Sequence, residues 1–426
     1  MRRFNIKREQ EESLDIFDGE IKMSYTPDEI MQYLEEEDVK FIRLTFCDVF
    51  GKQKNISVMP SEMPKAFERG IAIDASAIEG FGGESHSDLF LTPDPSNIAV
   101  LPWRPEHGRV VRMFCDINNP DGSHCSADTR NLLKNTVEKA EKLGYNFEFR
   151  PETEFYLFKR DADGEPTSTP YDRAGYMDIA PDDKGENVRR EICLTLEQMG
   201  IRPESSHHVE GPGQNKIAFR YSEPLSAADN SVTFCTVVST VAARYGLYAD
   251  FSPKPLENDA GNGMHINISA SHNGEDILAP VLAGILEYIC DMTVFLNPAE
   301  ASYRRFGTYK APKYVSWTNE NRSQLVRIPA IPVSGGNRRA ELRSPDPMCN
   351  PYLAFSLLIN AGIEGMQRGL ALPPACNINM QTASALDLSG FKLLPRSLTL
   401  ASECASNSEF IRKYLPEGII SCYCNR

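Results

Sequence analysis

The sequence predicts an α+β protein of two parts: a small helix-plus-strands module, then a larger region in which helices and strands alternate. Three observations carry that expectation. Thr26-Pro27-Asp28-Glu29 opens the patterned text with an N-cap, a proline at the first helical position and a capping-box glutamate. Asn119-Pro120-Asp121-Gly122 is a turn signal that closes the first module and places a domain boundary at 122. Beyond it, amphipathic windows and period-two runs take turns along the chain. At 426 residues there is room for two domains.

Taken in order, residues 1–24 are charged and weakly patterned, and read as an extension, either an appended helix or a mobile arm. The first domain, 25–122, should begin with a helix from Thr26 to about Glu37 that carries Ile30 and Leu34 on one face. Strands are expected over 41–46, 55–58, 98–102 and 109–116. In the second domain, 123–426, helices are expected over 130–143, 188–199, 227–245 and 348–368, the last entered through Asn350-Pro351. Strands are expected over 146–158, 214–221 and 263–270. The loop-rich stretches 162–172, 300–312 and 329–337 are where substrate-handling elements belong.

Bulk properties exclude several classes. A net charge of -14 argues against nucleic acid or an anionic membrane as the main partner, while leaving room for a local basic pocket. No apolar run reads as a membrane span of roughly 18 to 20 residues. The N-terminus lacks the apolar core of a secretory signal, so the chain is expected in the cytoplasm. The 11 cysteines show neither a CxxC pair nor zinc-site spacing, and read as small reduced hydrophobes.

Chemistry concentrates in three short runs. In 146–158 the even positions include Glu148, Arg150, Glu152 and Glu154, so Glu152 and Glu154 share a strand face ~7 Å apart. Carboxylates that close repel unless a cation or an arginine lies between them. An isolated pair of this kind is more often a solvated face, and a lone strand histidine is more often structural than a ligand. In Gly263-Met264-His265-Ile266-Asn267-Ile268-Ser269, His265, Asn267 and Ser269 alternate with apolar residues. Arg339, Glu341 and Arg343 share a face opposite Ala340 and Leu342, and Arg322 and Arg327 lie close by in sequence. A carboxylate-and-histidine set flanked by guanidinium forks suits a divalent cation and the transfer of a phosphoryl group.

The runs APKYVSWTNENRSQLVRIPA, RRAELRSPDP and NPYLAFSLLINAG resemble the glutamine synthetase family, especially its shorter bacterial type I members. FCDVFGKQKNI, ASAIEGFGGESHSDLFLTPD, RPETEF, HHVEGPGQNKIAFRY and GNGMHINIS follow the family's order, so the resemblance covers the chain from about Thr26. It implies a small β-grasp N-terminal domain and a catalytic α/β domain on a curved antiparallel sheet. It also implies ring-shaped homo-oligomers with active sites between subunits. The reaction implied is ATP-dependent phosphorylation of the γ-carboxylate of glutamate, followed by attack of ammonia, with Mg2+ or Mn2+.

Carried over by position, Glu152, His265 and Glu341 match one metal site, and Glu154 belongs to a second. Arg305 and Arg343 match the arginines that hold glutamate, with Gly261 on the same substrate side. Arg322, Arg327 and Arg339 match those around the nucleotide phosphates, and Glu204 and Ser269 fall at nucleotide-side positions. Asp48, from a neighbouring subunit, and Tyr176 fall at the ammonium pocket. Asp48, Arg322 and Arg343 are the catalytic candidates.

The match breaks at four positions. Val209 and Lys216 stand where the second metal site has glutamates, and Glu210 comes one residue late, pointing to the opposite strand face unless a bulge re-aims it. Lys310 replaces a flap glutamate that helps deprotonate ammonium, and Ala260 replaces an asparagine that contacts glutamate. Three readings are open: a glutamate–ammonia ligase, a family ligase with another amine or acid, and a catalytically impaired paralogue serving as a regulatory or structural ring.

Overall fold

The computed structural model describes residues 25–81, 87–104, 107–330 and 338–425. The extension expected over 1–24, residues 82–86 of the ASAIEGFGGESHSDLFLTPD segment and residues 331–337 of the third loop lie outside them. The first helix, Pro27–Glu36, starts as its text predicts. Glu29 N donates to Thr26 Oγ1 at 3.2 Å and Thr26 N donates back to Glu29 Oε2 at 2.7 Å. This satisfies two backbone donors that the helix itself leaves open. Ile30 and Leu34 are buried from it.

Below that helix lies a five-stranded sheet in the order Gln53–Val58, Val39–Cys47, Arg109–Asn118, Asp88–Val100, Ile71–Asp74. Its central pair, Val39–Cys47 with Arg109–Asn118, is parallel, and the other pairs are antiparallel. This is the β-grasp arrangement. The Asp88–Val100 strand runs well past the expected 98–102 because its register shifts between Pro93 and Ile98. Two prolines and an aspartate there interrupt the alternation that would have announced a strand.

The second sheet has ten strands. Its path runs Trp317–Thr318, Val326–Arg327, Ala340–Leu342, Met264–His272, Tyr145–Arg160, Gln214–Phe219, Pro203–His208. It is antiparallel except for the parallel pair Trp317–Thr318 with Val326–Arg327, so the sheet is mixed. The loop expected over 300–312 begins with a short helix, Glu300–Arg305.

Helices close the other side of this sheet. Leu278–Leu296 and Pro351–Gln367 pack face to face, and Phe149 of the central strand stacks on Phe355 with ring centroids 4.4 Å apart. Leu278–Leu296 corrects the expectation that no apolar run matches a membrane span. By length and composition it is long enough to cross one, but 72% of it is buried within the protein. Its apolar character serves the core. None of the 11 cysteines is joined in a disulfide.

Candidate active site

Antiparallel pairing assembles the site. His265 sits opposite Glu152, and Lys216 sits opposite Glu154. Glu341 sits between Asn267 on one neighbouring strand and Arg327 on the other. Residues directly opposite across a ladder project to the same face. The sheet therefore presents carboxylates, an imidazole, an ammonium and guanidinium groups together. They line a cleft of about 320 Å³.

Of the residues singled out in the sequence, Glu152, Glu154, His265 and Glu341 line the cleft, as do Arg305, Arg322, Arg327, Arg339 and Arg343. Tyr176 and Gly261 line it too. A Cβ on Gly261 would come within 2.5 Å of Pro253 O and 2.8 Å of Arg305 Cγ, so only glycine lets the backbone pass beside that arginine. Asp48, Glu204 and Ser269 are not among the lining residues. Asp48 is buried in the turn after the Val39–Cys47 strand, where its Oδ1 accepts from Phe50 N at 3.0 Å and Lys52 N at 2.9 Å. Glu204 reaches the site indirectly, through its ion pair with Arg150. Ser269 lies farther along the His265 strand, opposite Glu148.

Lys216 is the unexpected centre. Its backbone faces Glu154, yet its Nζ lies 2.5 Å from Glu152 Oε2 and 3.4 Å from His265 Nδ1. The other oxygen of Glu152 accepts from Arg150 at 2.7 Å and Asn267 Nδ2 at 2.9 Å. His265 Nδ1 is 3.2 Å from Glu341 Oε1, which also contacts Arg343. Arg327 reaches Glu341 Oε2 at 3.3 Å. Glu154 accepts from Gly263 N at 2.8 Å.

Charge states follow from these contacts. Burial works against ionising Glu152, but Lys216 and then His265 outweigh it and hold the carboxyl down to about 2. Burial also opposes the charge on Lys216, and the surrounding carboxylates, Glu152 first, overcome it and raise its pKa. His265 is pushed down by burial and by the neighbouring Arg343 and Lys216, which favours neutral imidazole. Glu341, despite burial, is held well below the usual carboxylate range by His265 and Arg343.

Two other departures resolve differently from their sequence reading. Glu210 faces the cleft because the Pro203–His208 strand ends before it, so strand alternation no longer governs its direction. The turn through Gly211 and Gly213 carries it inward. There it pairs with Lys310 of the flap, whose ammonium also sits 5.7 Å from the Tyr176 ring centroid. Arg150 and Asn267 were not singled out as site residues. The available signal was that both share a strand face with Glu152 or His265. Finally, the Nε atoms of Arg150, Arg305, Arg327, Arg339 and Arg343 are buried without a hydrogen-bond partner. Buried donors left open within a cleft favour an anionic ligand that would complete them.

The fold and cleft define a two-domain α+β protein, a β-grasp module joined to a mixed sheet that presents a polar, arginine-rich anion pocket. The description "Glutamine synthetase, beta-Grasp domain" matches residues 38–120 and "Glutamine synthetase, catalytic domain" matches 126–426. The chain is 40% identical over 420 residues to glutamine synthetase of Methanosarcina mazei, covering 95% of this chain and 94% of that protein. It is also 40% identical to the Thermus thermophilus glutamine synthetase over 417 residues, covering 93% of each. Among solved structures, the GmaS/ADP complex superposes with a TM-score of 0.84 at 24% identity, over 95% of this chain and 94% of that one. Plasmodium falciparum glutamine synthetase does so with a TM-score of 0.84 at 20% identity, over 95% of each chain. The chain belongs to the glutamine synthetase family and is, at that level, a glutamine synthetase-like ligase.

Glutamine synthetases are ATP-dependent, use divalent metals, act on glutamate and ammonia and typically form rings. The donor set here does not fit a cation shared by Glu152, His265 and Glu341. Lys216 already answers the charge of Glu152, and Arg343 and Arg327 answer that of Glu341. Among the described residues, no group of three or more His, Cys, Asp or Glu side chains is arranged to hold a metal ion.

Proposed function

We propose that the chain uses ATP to activate the γ-carboxylate of a glutamate-like acid, which ammonia then converts to an amide. A carboxylate oxygen attacks the terminal phosphorus, and the bond to the departing diphosphate breaks. Nitrogen then attacks the acyl carbon, the C–O bond to phosphate breaks with its electron pair, and the nitrogen sheds a proton. The observation that carries this reading is the set of cleft arginines with buried, unpartnered Nε groups. Arg305 and Arg343 are assigned to the acid, and Arg322, Arg327 and Arg339 to the phosphates. Preorganised donors of this kind stabilise charge on a transferring phosphoryl group. Glu204 and Ser269 support the nucleotide side from outside the cleft.

Tyr176 is assigned to the acceptor pocket, with Asp48 contributed by a neighbouring subunit of a ring. The place of Asp48 in the turn after the Val39–Cys47 strand, outside the cleft of its own chain, supports that assignment. Glu154 and the set Glu152, His265 and Glu341 stand at the positions the resemblance assigns to metals, but Lys216, Arg327 and Arg343 already answer the charges of that set, and no step above is routed through a metal. The reaction is assigned to the cytoplasm. Phosphate release from ATP with glutamate, adding ammonia and a panel of amines one at a time, tests the reading. The expected outcome is release that requires both glutamate and ammonia. Release only with another amine would move the acceptor, and silence with ATP still bound would leave a non-catalytic ring component.

A further inference from the structure

We propose that the ammonium of Lys216 is a built-in cation, standing in the place of a divalent ion between Glu152 and His265. This chain would then bring its anionic ligand against a tethered charge at that position. The ligase reading supplies only the identity of the anion, on which the cation count does not depend.

Position, burial and charge all support this. Strand register would leave Lys216 beside Glu154, but the side chain crosses to Glu152 at 2.5 Å and His265 Nδ1 at 3.4 Å. It thereby occupies the space beside Glu152 and His265 Nδ1 that a divalent ion, bound at about 2.1 Å, would need. The Lys216 and Glu152 side chains are only 12% and 14% exposed, so solvent screens the ammonium weakly and a second cation beside it is repelled. Carboxylates left over could still recruit an ion, but Arg150 covers the far oxygen of Glu152, while Arg343 and Arg327 cover Glu341. A lysine also differs from a metal in kind. It cannot gather several oxygens at fixed geometry, and it cannot be removed by a chelator.

Titration of the full-length chain with Mn2+ alone, following free ion by electron paramagnetic resonance, reads this directly. Glu152→Gln should leave the isotherm of the natural sequence unchanged. Lys216→Glu should add one Mn2+ per chain, and Glu152→Gln in that background should weaken the added site by about tenfold or more. Loss of a bound ion on Glu152→Gln in the natural sequence would overturn the proposal. So would a Lys216→Glu protein that melts cooperatively and gains no ion. Because the count needs no turnover, failure of ammonia-dependent phosphate release would remove the ligase reading and leave this result standing.

Discussion

At the residue scale, Lys216 and Glu152 form a nearly buried ion pair whose removal should be visible in stability as well as in ligand binding. The folded-state pKa of Glu152, about 2, lies below its ordinary 4.5. Its contribution is therefore complete above about pH 4.5 and lost as pH falls toward 2. A shift of that size corresponds to about 3 kcal/mol. Lys216→Met should flatten this acid limb and destabilise the protein near neutrality by about 2–3 kcal/mol, because Arg150 and Asn267 still hold one oxygen. Urea unfolding midpoints of both proteins between pH 7 and 3 check the slope and the offset. Period two put Glu152, His265 and Glu341 each on the polar face of its own strand, the family resemblance grouped them, and the cleft contains them. What it left out was reach: a lysine side chain spans the distance to a diagonal neighbour, so its backbone position names the wrong carboxylate. The direction of Glu210 was left open for a different reason, since alternation says nothing once a strand has ended.

At the element scale, the contact between Leu278–Leu296 and Pro351–Gln367 depends on missing side chains. A Cβ on Gly284 would meet Ala361 O at 2.0 Å, and one on Gly365 would meet Pro280 O at 2.2 Å. Both obstacles are backbone atoms, which cannot swing aside. Gly284→Ala should force the helices apart and destabilise the protein by about 1–3 kcal/mol, despite alanine's better helix propensity. A lower urea midpoint with unchanged slope is the expected signature. Leu278–Leu296 was not anticipated from the sequence, and its burial shows why. With its length clad by the core, it carries no broad polar face to set a 3.6-residue rhythm. Helices with one wet face, such as Thr129–Lys142 and Glu186–Gln198, were placed to within a residue or two. Pro203–His208 escaped because its text, PESSHH, has no apolar alternation. Tertiary pairing with Gln214–Phe219 makes it a strand.

At the scale of the whole molecule, the N-terminal sheet is fastened to the catalytic part through Arg130, just beyond the boundary we propose at 122. Its guanidinium forks onto Asp229 through two bonds of 2.9 Å, and also reaches Asp94 at 2.8 Å and Asp116 at 3.3 Å. Asp94 and Asp116 belong to the N-terminal sheet, whereas Asp229 lies on the Pro224–Arg244 helix. Tyr352 Oη donates to the same Asp229 at 2.7 Å, which ties in the Pro351–Gln367 helix. The Asp48 turn is held from the same side, where Val49 O accepts from Asn350 Nδ2 and from Tyr423 Oη, each at 3.0 Å. The turn we assign to a neighbour's cleft would have to keep its position relative to its own catalytic part, and these bonds restrain it. Arg130→Met would remove the one cation shared by three aspartates. Lys134 would still neutralise Asp116, but Asp94 would be left with neutral donors, and Asp229 with neutral donors and the more distant charge of Arg112, at a cost of about 3–5 kcal/mol. Burial pushes the Asp94 carboxyl up, and Arg130, helped by two hydrogen bonds from Ser96, more than compensates, bringing it to about 2. Its stabilisation is thus present above the ordinary 3.8 and fades as pH falls toward 2. The variant should lose most of that acid dependence together with the stability, keeping the part that Ser96 supplies. Combining Arg130→Met with Asp94→Asn should cost less than the two single changes added together, by about 1–3 kcal/mol. Additive costs in urea unfolding would mean that the Arg130–Asp94 contact does not fasten the two parts, leaving that task to the packing and to the bonds at Val49 and Asp229.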